Sequence, residues 1–158
     1  MTDETRRLID IQLDEASLGA ASQDAMHDRR VAIFDLLEKN HFELEGDEGG
    51  PYSLKLLVVD QRLIFEVTGQ TQGEAKSIVL SLTPFRRVIK DYFLVCNSYY
   101  DAIRSATPTQ IEAIDMGRRG MHNEGAHLLE DRLAGRVKLD FDTARRLFTL
   151  ICALQTRT

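Results

Sequence analysis

Asp115, Arg118, Arg119, His122 and Glu124 fall within ten residues of one another, interleaved with Gly117, Gly120 and Gly125. No other stretch sets so many chemically capable groups beside so many glycines. On a helix, Asp115, Arg119 and His122 lie within about 60° of one another at 100° per residue. Asp115–Arg119 and Arg118–His122 are neighbours four apart. A carboxylate, a guanidinium and an imidazole on one stripe could hold a phosphate. They could also do acid–base work, because histidine titrates near neutrality. In that case His122 is the acid or base and Asp115 or Glu124 orients it, while the arginines stabilise developing negative charge. The same residues would equally serve as ion pairs within one helix. Each glycine costs roughly 1 kcal/mol in a helix interior. Three of them within nine residues call for close backbone packing or for a break near 120–125. After a break, Asn123 could cap a following helix.

A second group sits in TPFRRVIKD, at 83–91. Arg86, Arg87 and Lys90 occupy the first two turns of an expected helix, where cations oppose the helix dipole. A bound anion would reverse that penalty. Pairing with Asp91 or with the acidic half of the chain would also reverse it. Residues 1–82 carry 8 basic and 16 acidic groups, net −8, whereas residues 83–158 carry 12 and 9, net +3. Of the 20 basic residues 15 are arginine, and ten of these form Arg–Arg pairs at 6–7, 29–30, 86–87, 118–119 and 145–146. Arginine's planar fork suits bidentate contact with carboxylate or phosphate. The two halves could neutralise each other, or the C-terminal half could offer an anion site. Nucleic acid is disfavoured as a partner, since the whole chain is at −5 and phosphate backbones would repel it.

Several chemistries have no signature here. There is no Gly-rich phosphate loop, no His-Glu-x-x-His and no Gly-x-Ser-x-Gly elbow. The four histidines make no three-ligand metal set, and no cofactor is expected. Cys96 and Cys152 sit in apolar runs without metal spacing and read as free thiols in a reducing cytosol. No apolar run approaches the roughly 20 residues of a membrane span. The start, MTDETRRLID, has no basic-then-apolar signal. The expected location is cytoplasmic.

The elements that must position these groups follow from periodicity. Residues 6–14 alternate as a strand. Ser22 caps a helix over 23–39, with Met26, Ile33, Phe34 and Leu37 as its apolar face. HFELEGDEGGPY is expected to be a solvated acidic loop. Strands over 52–60 and 62–69 join through a tight hairpin at Asp60–Gln61. After a turn at 70–73, a third strand covers 74–82. Thr83 caps a helix with Pro84 in its first turn, running through Phe85, Val88, Ile89, Tyr92 and on to Ile103. Thr107 and Gln110 form a capping box for the next helix. Asp140 or Asp142 caps the last one, with Ala144, Leu147, Phe148, Ile151 and Leu154 inward. The order implies one α+β domain over 1–158: a short antiparallel sheet covered on one face by helices, with a helical C-terminal half.

The stretches SLTPFRRVIKDYF, SYYDAIRSATPTQIEAIDMGRRGMHNEGA and FDTARRLFTLIC resemble signature blocks of the bacterial family UPF0262, as do TDETRRLIDIQLDE and VAIFDLLEKN. The resemblance covers nearly the whole chain. It implies a small cytoplasmic bacterial protein and carries over no activity, cofactor or catalytic residue. The residues themselves point first to a binding or regulatory module. Its Arg-rich helical face (Arg86, Arg87, Lys90, Arg118, Arg119) would engage an anionic small molecule, an acidic protein surface or a second copy of the chain. The alternative is a hydrolase or transferase of phosphorylated small molecules that uses His122 and Asp115.

Overall fold

The computed structural model describes residues 3–47, 49–70 and 74–155. Strand β1 (Leu8–Leu13) leads through a short helix α1 (Glu15–Leu18) into α2 (Gln23–Glu38). Strands β2 (Phe42–Leu44), β3 (Tyr52–Val59), β4 (Arg62–Gly69) and β5 (Ala75–Ser81) follow. Helices α3 (Thr83–Ser105) and α4 (Pro108–Leu133), strand β6 (Val137–Leu139) and helix α5 (Phe141–Gln155) complete the chain. The fold class is α+β, as the order of the elements implies.

The main sheet runs β1-β3-β4-β5. Its β3–β4 and β4–β5 pairs are antiparallel, but β1 pairs parallel to β3, so the sheet is mixed. The long excursion through α1 and α2 permits this, since parallel neighbours need a crossover. Leu54 and Leu56 on β3, Leu63, Phe65 and Val67 on β4, and Ile78 and Leu80 on β5 alternate into the core. They share one apolar cluster with Phe85 and Val88 of α3, Leu129 and Leu133 of α4, and Leu147, Phe148 and Ile151 of α5.

Three local expectations change. The acidic loop after α2 contains β2, which pairs antiparallel with β6 and buries Phe42 and Leu44. Three-residue strands are too short to show a period. Helix α2 is rotated from the expected face: Ala25, Arg29, Ala32 and Leu36 are buried, Ile33 and Leu37 pack against the core only partly, and Phe34 is 67% exposed. Arg29 lies on the inner face because its guanidinium donates to the carbonyls of Ala153 and Leu154, at 3.3 and 3.4 Å. These are carbonyls near the end of α5 that the helix itself leaves open. At the start of α3 the N-cap is Leu82, not Thr83, and no side chain caps it. The turn expected at 70–73 lies mostly outside the described residues.

The helices form an open chain of neighbours. Contacts run from α2 to α5, from α5 to α4 and from α4 to α3, but α2 and α3 barely touch. A groove separates those two, and its floor is α5.

Candidate functional site

Helix α4 carries the central cluster and is unbroken over 26 residues. Thr107 accepts from the Gln110 N–H at 3.3 Å, and the Gln110 side chain accepts from the Thr107 N–H at 3.1 Å. This is the capping box the sequence signals. The glycines divide. At Gly125 a Cβ would come within 2.5 Å of three carbons of the Phe148 ring, so the backbone there is in close contact with α5. At Gly117 and Gly120 a Cβ would meet open space. Close packing therefore accounts for one of the three.

Asp115 is the hub of the upper half of the helix. Arg118 reaches it through Nε at 3.1 Å, and Arg119 through Nε at 3.2 Å. The Arg118 guanidinium also lies 5.0 Å from the centroid of the Tyr99 ring on α3, a favourable cation–π distance. The hydrogen bond that Arg118 donates to Asp115 is the largest of the effects that raise the Arg118 pKa. Glu124 is exposed. Near the start of α3, Arg86 contacts the Gln61 side chain and Arg87 pairs with Asp91 at 3.8 Å. Lys90 is exposed. Because Tyr99 faces Arg118, Arg86 lies roughly 20 Å further along α3 at 1.5 Å per residue. The two basic groups do not converge. Every ion pair among the described residues joins partners within 1–82 or within 83–158. The charge imbalance between the halves is not resolved by direct pairing.

His122 projects from α4 onto α5. Its ring packs against Tyr92 and Phe148, with centroids 5.4 Å away in both cases. Nε2 lies 2.7 Å from the Thr149 hydroxyl. That hydroxyl donates its one proton to the Arg145 carbonyl at 3.1 Å, so the network assigns the histidine proton to Nε2. Nδ1 is buried and has no partner in the protein. Burial first, then the charges of Arg145 and Arg118, lower the His122 pKa to about 4. The ring is neutral at physiological pH, and neither Asp115 nor Glu124 is its hydrogen-bond partner.

His122 and Thr149 open into a cavity of about 400 Å³ that Asp142, Arg145 and Arg146 complete. Arg146 donates to the Lys39 carbonyl at 2.6 Å. The Arg145 Nε is buried without a partner. Among the described residues neither arginine forms an ion pair. Arg145–Arg146 is one of the five arginine pairs of the sequence but belongs to neither of the two expected sites. A signal was present: with Ala144, Leu147, Phe148 and Ile151 turned inward, positions 145, 146 and 149 must edge the outer face of α5.

No solved structure matches the chain. The model of the Uncharacterised protein family (UPF0262) matches residues 5–157. A UPF0262 protein of Rhizobium meliloti (strain 1021) is 59% identical over 155 residues, 98% of each chain. One of Agrobacterium fabrum (strain C58) is 58% identical over 151 residues, 96% of each chain. One of Brucella abortus (strain S19) is 58% identical over 152 residues, 96% of this chain and 94% of its own. With a family match from end to end and relatives this similar over nearly their full length, the chain belongs to the UPF0262 family.

Proposed function

We propose that the protein is a binding module that seats a small oxyanion, a phosphate or carboxylate group, at the seam of α4 and α5. One observation carries this reading. Arg145 and Arg146 open into a single polar cavity with His122 and Thr149, yet neither arginine has a carboxylate partner among the described residues. With Asp142 on the rim, the cavity walls hold two cations and one anion. A singly charged oxyanion bound bidentately to a guanidinium would neutralise the remainder. Arg118 adds to the positive field at His122. Of the five expected basic residues only Arg118 acts at this cavity; Arg119 is held by Asp115, and Arg86, Arg87 and Lys90 at the far end of α3 lie beyond the roughly 8 Å over which exposed charges act at physiological salt.

The hydrolase or transferase alternative has weaker support. An acid–base role needs an accessible nitrogen and a pKa near the working pH. In His122 one nitrogen is engaged by Thr149, the other is buried, and the pKa is about 4.

Thermal unfolding against phosphate, nucleotides, phosphosugars and dicarboxylates at matched ionic strength tests the reading. A ligand at 100 times its Kd stabilises the fold by roughly 2.7 kcal/mol, a shift of several degrees. The shift is expected in wild type and in Arg119→Ala, and is expected to vanish in Arg145→Ala. No shift with any compound, or a shift that Arg145→Ala keeps, would sink it.

A further inference from the structure

The groove between α2 and α3 has a volume of about 800 Å³. Its floor is Cys152 and Ala153 of α5, with Tyr92 and Cys96 at the base of the α3 wall. A second cavity of about 350 Å³ continues it toward the start of α3, sharing Phe93, Asn97 and Gln155. The two walls differ in charge. Arg86 and Lys90 line the end of the α3 wall nearest the sheet. Asp28 and Asp35, seven residues and so about 10 Å apart along one face of α2, line the α2 wall. Lys90, Asp28 and Asp35 have no ion pair among the described residues. Beside these charges both walls carry open apolar surface: Leu94 is 56% exposed and Tyr100 64% on α3, and Val31 44% on α2.

Helix α3 therefore supplies a wall of the groove and also a ridge of the size that would fill one. Arg86, Lys90, Phe93, Leu94 and Asn97 fall within an arc of about 100°. If a second α3 is laid antiparallel along this ridge, its Arg86 and Lys90 approach the Asp28 and Asp35 of the first molecule. The two-fold relation repeats the same contact in reverse, while Leu94 and Phe93 of both copies meet near the axis. Self-complementarity of this kind defines an isologous interface. We propose that the occupant of the α2–α3 groove is a second copy of this chain, packed through α3 in an antiparallel two-fold dimer. Opposite charges fix its register, and the apolar middle supplies the desolvated centre. The groove shares Thr149 with the α4–α5 cavity, but the α3 ridge and the two aspartates do not line that cavity, and the dimer does not depend on the anion reading.

Sedimentation equilibrium on the full chain tests this, with circular dichroism to confirm folding. Every substituted position is exposed, so the variants are expected to fold. Wild type is expected to be a dimer, and Leu94→Asp a monomer at the same concentration. Arg86→Glu with Lys90→Glu sets acid against acid across both halves of the interface. Asp28→Lys with Asp35→Lys sets base against base. Each double variant alone is expected to dissociate by at least tenfold in Kd. Mixed in equal amounts they restore opposite charges in both halves, and a heterodimer of wild-type affinity should form. The proposal is overturned if wild type is monomeric at about 100 μM, if Leu94→Asp dimerises as tightly as wild type, or if the mixed variants fail to associate.

Discussion

The Phe148 ring lies so close to the backbone of Gly125 that a single methyl group there would overlap three of its carbons. This contact sets the approach of α5 to α4, and with it the position of Thr149 opposite His122. Overpacking of this kind typically costs about 1–3 kcal/mol. Gly125→Ala is expected to destabilise by the upper part of that range, read from the urea midpoint. Gly117→Ala and Gly120→Ala should do the opposite. Both point into open space, and replacing glycine by alanine in a helix interior gains up to about 1 kcal/mol. If all three substitutions destabilised equally, the distinction between packed and open glycines would be wrong.

His122 gives a pH dependence with a definite sign. Its pKa in the fold is about 4, against an ordinary value of 6.5. As pH falls below 6.5 the unfolded chain takes up this proton first, so the native state loses stability between about 6.5 and 4. The full shift corresponds to about 3 kcal/mol. Because part of the ring faces solvent, a loss of about 1–2 kcal/mol is expected. His122→Gln should flatten that part of the stability profile. Asp140 does not intrude: burial pushes its pKa up, but hydrogen bonds from Thr143 outweigh this and leave it below 3.8, so its stabilisation is lost at lower pH. A titration of the His122 ring by NMR near 6.5 would refute the argument.

Signals written in a single element were legible in the sequence. The Thr107–Gln110 box, the Ser22 cap, the cap of α5 (Asp140, of the two aspartates the sequence offers) and the inward stripe of α5 each depend on residues a few positions apart, and each appears in the structure. What depended on distant segments was not legible. The parallel pairing of β1 with β3, the β2–β6 ribbon and the buried face of α2 are set by partners far along the chain. The same holds for the candidate site. Asp115, Arg118 and Arg119 found one another within α4, as their spacing suggests. Thr149 and Arg145 come to His122 from a different helix, across the Gly125–Phe148 contact.

The β3–β4 hairpin was legible, yet its turn places glutamine where glycine is favoured. Asp60 and Gln61 have φ of 51° and 63°. Two positive φ values at the central positions are the type I′ arrangement, which asparagine followed by glycine adopts most readily. A non-glycine residue in this region carries roughly 1 kcal/mol of strain. Gln61→Gly should therefore stabilise the protein by about 0.5–1 kcal/mol. The hydrogen bond from the Leu82 N–H to the Gln61 carbonyl survives because it uses the main chain. Equilibrium denaturation checks this, and a destabilisation would mean that the side-chain contact between Gln61 and Arg86 outweighs the turn strain.

Arg29 is only 5% exposed. A charge so buried is tolerated when it is hydrogen-bonded, and its guanidinium meets two carbonyls near the end of α5. Those carbonyls carry the negative end of the helix dipole. Nε serves Ala153 and Nη2 serves Leu154, a fork that a single ammonium cannot reproduce. Arg29→Ala leaves both carbonyls without this donor and opens a space between α2 and α5, at an expected cost of about 2–4 kcal/mol. Arg29→Lys should recover less than half of it. Arg29→Met restores volume but not the donors, so comparing it with Arg29→Ala separates packing from hydrogen bonding. If Arg29→Met were as stable as wild type, the charge would contribute nothing to the fold. Arg29 would then have to be explained by what binds on the neighbouring outer face of α2.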